Sequence, residues 1–264
     1  MHFSPYHLHR PGESVVHRLD PRAKLVLTLA TILSISLTPS GAWPVFILLL
    51  AWIISASVAS EFGWPFVLRR AAVALPFVLA AFPLVFTVKG EPLLTIGLGR
   101  WALSATQPGL ERFLSVAIRS WLSVQAAILL TATTSLPDLL LAMRSLRLPR
   151  LMIAILGLMW RYLAVLVDEA LRMIRARESR SGSWGAGGGG SLAWRSRVTG
   201  GMAGTLFLRG YERSERIYNA MLARGYDGTI RSFPIEPLSW TGRLLLIAAS
   251  VLLLSLALLG RWLG

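Results

Sequence analysis

The chain has 264 residues, 54% of them hydrophobic and only 15% charged, with a mean hydropathy of +0.59. That balance lies outside the range of a soluble domain and marks an integral membrane protein. Of 27 basic residues only Lys24 and Lys89 are lysine, against 13 acidic residues. Such an arginine surplus in a membrane chain reports topology and anionic headgroups, and no nucleic-acid motif accompanies it. Cysteine is absent, which excludes disulfides, thiolate metal sites and cysteine nucleophiles.

The first twenty residues are polar and hold His2, His7, His9, His17, Arg10 and Arg18, so no cleavable signal peptide is expected. The first apolar run, Leu25 to Leu37, is expected to act as an uncleaved anchor. Pro21 suits the first turn of its helix and Asp20 the N-cap. A second span is predicted over 43–60, after the Pro39-Ser40-Gly41 turn. Arg69 and Arg70 mark a basic loop, and a third span over 71–88 carries Pro76 and Pro83, which kink a membrane helix. Residues 89–110 have Pro, Gly and few charges and read as an external loop with a short interfacial piece around Trp101. A fourth span is predicted over 113–134, with Arg112 at its outer end. Arg119, within its first turns, either snorkels to headgroups or faces another subunit.

Residues 151–167 also resemble a span, but Arg161 interrupts them and leaves an uninterrupted apolar part that is short for a bilayer core of about 30 Å. Parity weighs further against counting them. The N-terminus is expected to be cytoplasmic from Arg18, Arg22 and Lys24, so four spans return the chain to the cytoplasm. There the 11 arginines between Arg172 and Arg231 obey the positive-inside rule. Three divisions follow: a membrane domain over 1–135, a cytoplasmic or interfacial domain over 136–231, and a last span within 232–264, about 240–259. The expected fold class is thus all-α, with about five transmembrane helices.

Within 136–231 a short amphipathic helix opens at Leu136-Pro137-Asp138 and ends near Leu146. A long one begins at Leu148-Pro149-Arg150 and repeats Leu156, Trp160, Leu163, Val167, Ala170 and Ile174 at helical spacing. The stretch 181–191 is a Gly-rich linker, and a third helix over 192–225 carries Phe207, Tyr211, Tyr218 and Met221 on one stripe. Glu212 and Arg216 stand one turn apart on it and are placed to pair weakly. Both long helices finish in a small-residue–arginine pattern, Ala176-Arg177-Glu178 and Ala223-Arg224-Gly225. An arginine there complements the negative end of the helix dipole and offers a two-pronged contact to a carboxylate. Gly225 supplies a left-handed stop. A single such end reads as a solvated, capped terminus; two in one domain point to a membrane subunit that grips two copies of a soluble partner.

The chain resembles the transmembrane coupling subunit, or T component, of energy-coupling-factor transporters, most of all the cobalt and nickel branch known as CbiQ. The residues that carry the resemblance are Leu19-Asp20-Pro21-Arg22-Ala23-Lys24, Arg161-Tyr162 and the stretch from Asp168-Glu169 through Arg172-Met173 to Arg175-Ala176-Arg177-Glu178-Ser179-Arg180. Tyr211-Glu212-Arg213-Ser214-Glu215-Arg216, leading into Ala223-Arg224-Gly225, carries it equally. The resemblance implies a multi-pass protein of the bacterial cytoplasmic membrane that couples two ATP-binding cassette ATPase subunits to a substrate-binding membrane subunit. In that family the paired motifs are commonly Ala-Arg-Gly and their arginines sit in grooves of the ATPases. Carried over, Ala176, Arg177, Glu178, Ala223, Arg224 and Gly225 are the ATPase-contacting residues, with Glu178 departing from the pattern.

The resemblance also implies that hydrolysis belongs to partners, and no phosphate-cradling Gly-Lys-Ser/Thr loop occurs in the chain. No catalytic residue, cofactor, resident metal or nucleic-acid partner is expected, and the lipid bilayer is the remaining partner. The N-terminal histidines read as adventitious, not as a metal site. A T component serving a vitamin-type substrate subunit, a secondary carrier and a membrane scaffold remain as alternatives; a carrier would need polar residues within its spans.

Overall fold

The computed structural model describes residues 12, 14–61, 71, 72, 75–88, 90, 92–98, 101–146, 148–180, 191–228 and 238–263. The expectations for His2, His7 and His9, for Arg69 and Arg70, and for the linker over 181–190 lie outside them. The chain divides into two compact units. One combines the described residues of 8–142 with those of 235–264, so that the C-terminal helix joins the N-terminal spans, and the other holds the described residues of 143–234.

The larger unit opens with a short α1 (Val15–Arg18) and α2 (Pro21–Leu37). Asp20 caps α2, its Oδ1 accepting from the Arg22 N–H at 2.9 Å, with Pro21 in the first turn as the sequence requires. Gly41, in the turn that follows, has φ +93, a backbone that favours glycine. α3 (Trp43–Ala59) comes next. The third predicted span is broken at Pro83, into α4 (Leu75–Ala81), with Pro76 in its first turn, and α5 (Leu84–Thr87), with Pro83 as its N-cap.

Residues 89–110 correct the loop expectation. They hold an antiparallel hairpin, β1 (Pro92–Leu98) with β2 (Trp101–Thr106), in which Leu98 faces Trp101 and Thr95 faces Ser104. Thr106 ends β2 and starts the next helix: its hydroxyl donates to Val88 O at 2.7 Å and accepts from Gly109 N at 3.2 Å. Gly109 lets this junction approach α5, since a Cβ there would stand 2.6 Å from Val85 O. α6 (Gln107–Thr133) is therefore 27 residues long and begins six residues before the predicted start at Phe113.

α7 (Leu136–Ser145) is opened by Ser135, whose hydroxyl accepts from Asp138 N and meets the Asp138 carboxylate at 2.5 Å, a reciprocal cap. α10 (Trp240–Leu263) packs on α2 and α3, while α6 packs on α2, α3, α4 and α5. Ile35, Val45, Leu49, Ile53, Leu122 and Leu253 form a core with almost no exposure. A buried polar group helps to join it: Ser34 Oγ donates to Leu253 O at 3.0 Å, tying α2 to α10. Gly260 allows the far end of α10 to close on Thr38 and Val45, whose atoms lie 3.3 and 3.6 Å from where a Cβ would be.

The smaller unit is two helices, α8 (Arg150–Arg180) and α9 (Leu192–Ala223), of 31 and 32 residues, packed on each other. At 1.5 Å per residue each is close to 47 Å long. By length and composition α8 qualifies as a membrane span, alongside α6 and Trp240–Trp262 of α10. That revises the expectation that 151–167 is too short: the apolar stretch sits in a continuous helix, and Arg161 does not end it. α2 and α3, at 17 residues each, lie at the short end of the spanning range. The chain is a helical membrane protein.

Candidate functional site

The sequence singles out two arginine-bearing helix ends, and the structure gives them different geometry. α9 stops where expected. Arg224 is its C-cap, Gly225 has φ +79, Gly225 N donates to Leu222 O at 2.9 Å, and Tyr226 N donates to Met221 O at 3.0 Å. Those two bonds are the paired reverse bonds of a Schellman cap, and they satisfy carbonyls that the helix end would otherwise leave open. Arg224 is held exposed beside the negative end of the dipole.

α8 does not stop at its motif. Glu178 stands in place of a glycine, and helix continues to Arg180, with Ser179 Oγ donating back to Ala176 O at 3.0 Å. Arg177 is therefore on the flank of a last turn, not at a cap. Its guanidinium lies over the Trp194 ring at 5.9 Å from the centroid, a cation–π contact from the first turn of α9. Among the described residues neither Arg177 nor Arg224 has a carboxylate partner. Both are thus available to an acceptor on another molecule.

Between α8 and α9 lies a cavity of about 750 Å³, lined by Glu169, Arg172, Arg177, Arg180, Trp194 and Arg209 among others. Glu169, two residues beyond the apolar stretch, is its acid: Arg172 donates to it at 2.8 Å along the helix, and Arg209 donates to it across the pair. Those two donors, Arg209 foremost, hold the Glu169 carboxyl below its usual carboxylate value. Gly210, one residue on, faces the other helix, where a Cβ would stand in ordinary contact with Leu166 Cδ2 at 3.5 Å. The contact sets the crossing of the helices; the wall keeps a net positive charge. Glu212 and Arg216 approach to 4.0 Å, and both are exposed.

The apolar stripes of these helices remain uncovered. α9 has no buried residue and α8 only Ala154. Phe207 is 71% exposed and Leu208 61% exposed. Patches of that kind on a protein mark a surface that another protein or a membrane covers.

Three residues emerge that sequence reasoning missed. Trp194 is one; its contact to Arg177 spans the linker, and nothing local announces it. Gln125 is fully buried on α6, and its amide N and O have no partner among the described residues. Lys24 is buried too, donating to His17 O and Thr133 O at 3.1 Å each, so it holds the last turn of α1 and the last residue of α6. Arg119, expected to snorkel to headgroups or to face another subunit, has its guanidinium 5.9 Å from the centroid of Phe46, inside its own unit.

Fold and site together define a multi-helix membrane protein that carries an exposed, arginine-rich pair of long helices. The chain belongs to the CbiQ family, described as cobalt transport protein, whose model matches residues 12–235. It is a membrane transport protein, not an enzyme. It is 30% identical over 263 residues to the energy-coupling factor transporter transmembrane protein EcfT of Exiguobacterium sibiricum, covering 94% of this chain and 97% of that one. The EcfT of Ruminiclostridium cellulolyticum is 28% identical over 228 residues, 83% of this chain and 82% of that protein. The EcfT of Lactococcus lactis is 24% identical over 264 residues, 94% of each chain.

Proposed function

We propose that this chain is the transmembrane coupling subunit of an ATP-driven energy-coupling-factor importer for cobalt or nickel ions, in a bacterial cytoplasmic membrane. The observation that carries the proposal is the pair of arginines, Arg177 and Arg224, that have no carboxylate partner among the described residues and each lie within three residues of the C-terminal end of a long helix. In this reading residues 136–231 lie on the cytoplasmic side and each arginine enters a groove on one of two ATPase subunits. Ala176 and Ala223 leave room for the partner's backbone. ATP-driven closure of the ATPase pair moves the two ends, and α8 and α9, each close to 47 Å long, pass that motion to a substrate-binding membrane subunit.

The cytoplasmic placement of α8 is favoured over its being a span by its charge: Arg161 lies within the apolar stretch, and Asp168, Glu169, Arg172 and Arg175 follow it at once. Cobalt as cargo is supported by the description of the family, and a place in an energy-coupling factor transporter by the names of the relatives.

The test is metal uptake by cells that express the chain with its ATPases and substrate subunit. Cobalt or nickel accumulates in the wild type and not with Arg177→Glu plus Arg224→Glu. Uptake that survives the double reversal contradicts the coupling role, whereas uptake of a vitamin without metal contradicts only the cargo.

A further inference from the structure

The larger unit contains a cavity of about 730 Å³ that coupling does not use. Its walls come from α1, α2, α3, α6 and α10, including Lys24, Leu27, Trp52, Ala56, Leu129 and Leu252. Lys24 is in the first turn of α2, while Ala59 ends α3, Thr133 ends α6 and Leu245 is near the start of α10. All four helices therefore bring one end to the same mouth. From Lys24 to Thr31 the cavity runs about 10 Å along α2.

The hydroxyls in its wall offer it no donor. Thr28 donates to Lys24 O, Thr31 to Leu27 O, Ser55 to Trp52 O and Thr133 to Leu129 O, all at 2.7 to 2.8 Å. The indole N–H of Trp52 is spent on Thr31 Oγ1 at 3.2 Å. A wall whose polar groups are all turned inward suits a hydrocarbon chain and no polar solute. Lys24 is the exception. The residue as a whole is only 7% exposed, and its ammonium donates to two carbonyls and keeps one N–H without a hydrogen-bond acceptor among the described residues. Asp20 and Asp138 attract its charge from a distance without an ion pair. A buried cation at the head of an apolar cavity is incompletely compensated, and an anionic oxygen completes it.

We propose that this cavity binds one anionic phospholipid, with an acyl chain between α2, α3, α6 and α10 and the phosphate on Lys24. This gives the Asp20-Pro21-Arg22-Ala23-Lys24 element a role separate from ATPase contact: Asp20 and Pro21 start the helix, and Lys24 meets the headgroup.

The experiment uses the full chain in detergent, without ATPases, so its result is independent of the coupling assignment. Native mass spectrometry reads binding of phosphatidylglycerol and phosphatidylcholine with matched acyl chains. The wild type is expected to prefer phosphatidylglycerol by about fivefold, the worth of one basic group at a membrane surface. Lys24→Gln loses the preference, Lys24→Arg keeps it, and Ala56→Phe, which fills the cavity, retains neither lipid while its helix content is unchanged. If Lys24→Gln fails to fold, Lys24→Arg and Ala56→Phe still decide the matter. Equal retention of the two lipids by the wild type overturns the proposal, as does retention by Ala56→Phe equal to the wild type. A photo-crosslinker at Ala56 that captures a partner subunit in the assembled complex, and no lipid, overturns it too.

Discussion

The larger unit encloses a buried apolar core beneath its exposed apolar faces, while the two helices of the smaller one enclose almost none. Leu49 and Leu122 have no measurable exposure, whereas Phe207, Leu208, Tyr211 and Tyr218, on a helix of the smaller unit, are all more than half exposed. Both units use the same residue types, so composition does not separate them; the number of faces each helix must cover does. α2 has neighbours in α10 and α6, but α8 and α9 have chiefly each other. Two helices cannot enclose a core, and their outer stripes are left for whatever assembles on them.

Substitutions in the two units should differ most in stability. Leu49→Ala or Leu122→Ala is expected to cost about 3 kcal/mol through the lost transfer energy and the cavity left behind. Phe207→Ala or Leu208→Ala in the isolated chain should stay within about 0.5 kcal/mol. Thermal unfolding in detergent measures both, and equal shifts would erase the distinction. The exposed pair should instead weaken assembly with partner subunits.

The next effect concerns the two helix ends. Gly225→Ala must hold a Cβ at φ +79, at a cost of about 1–2 kcal/mol. Nothing lies within 4 Å of that position, so the cost is conformational and not steric, and Gly225→Asn should restore much of it. Hydrogen exchange of the Leu222–Tyr226 amides reads the fraying. Glu178→Gly should have no counterpart effect, because α8 runs on to Arg180 without a left-handed residue.

A smaller change is expected from Trp194→Ala. Losing an exposed cation–π contact is worth about 0.5–1 kcal/mol, so affinity for the ATPase at the Arg177 end should fall about two- to fivefold, with Trp194→Phe recovering part of it. The Arg224 end should not respond. Smallest is the pH response of the α8–α9 clasp. Arg209 and Arg172 depress the folded Glu169 value, so the stabilisation is present above the ordinary carboxylate value of 4.5 and is lost as pH falls below it through the depressed folded value. Spin-label distances between α8 and α9 should hold from neutral pH down to about 5 and lengthen only below that window, and Glu169→Gln should abolish the step.

Helix ends with their own chemistry were legible in the sequence. Asp20 with Pro21, Leu136-Pro137-Asp138 and Ala223-Arg224-Gly225 each place a cap by local hydrogen bonding, and the structure puts elements there within a residue or two. What depends on distant partners was not legible. The hairpin over 92–106 lacks a charge pattern that would set it apart from a loop, and its pairing and the Thr106–Val88 bond are contacts that sequence spacing does not announce. Pro76 and Pro83 predicted a kink, and the outcome is two separate helices. Arg119 over Phe46 and Arg177 over Trp194 are contacts between elements far apart in sequence, which spacing cannot reveal. The pair of arginines was visible from the start, and so was their inequality, because Glu178 stands where Gly225 stops the second helix and α8 runs on to Arg180.

The central claim is that each of those arginines holds one ATPase subunit. Native mass spectrometry of the chain co-expressed with its ATPases counts the copies directly. Two copies per wild-type chain, and none with Arg177→Glu plus Arg224→Glu, is the result predicted. Two copies retained by the double reversal would contradict it.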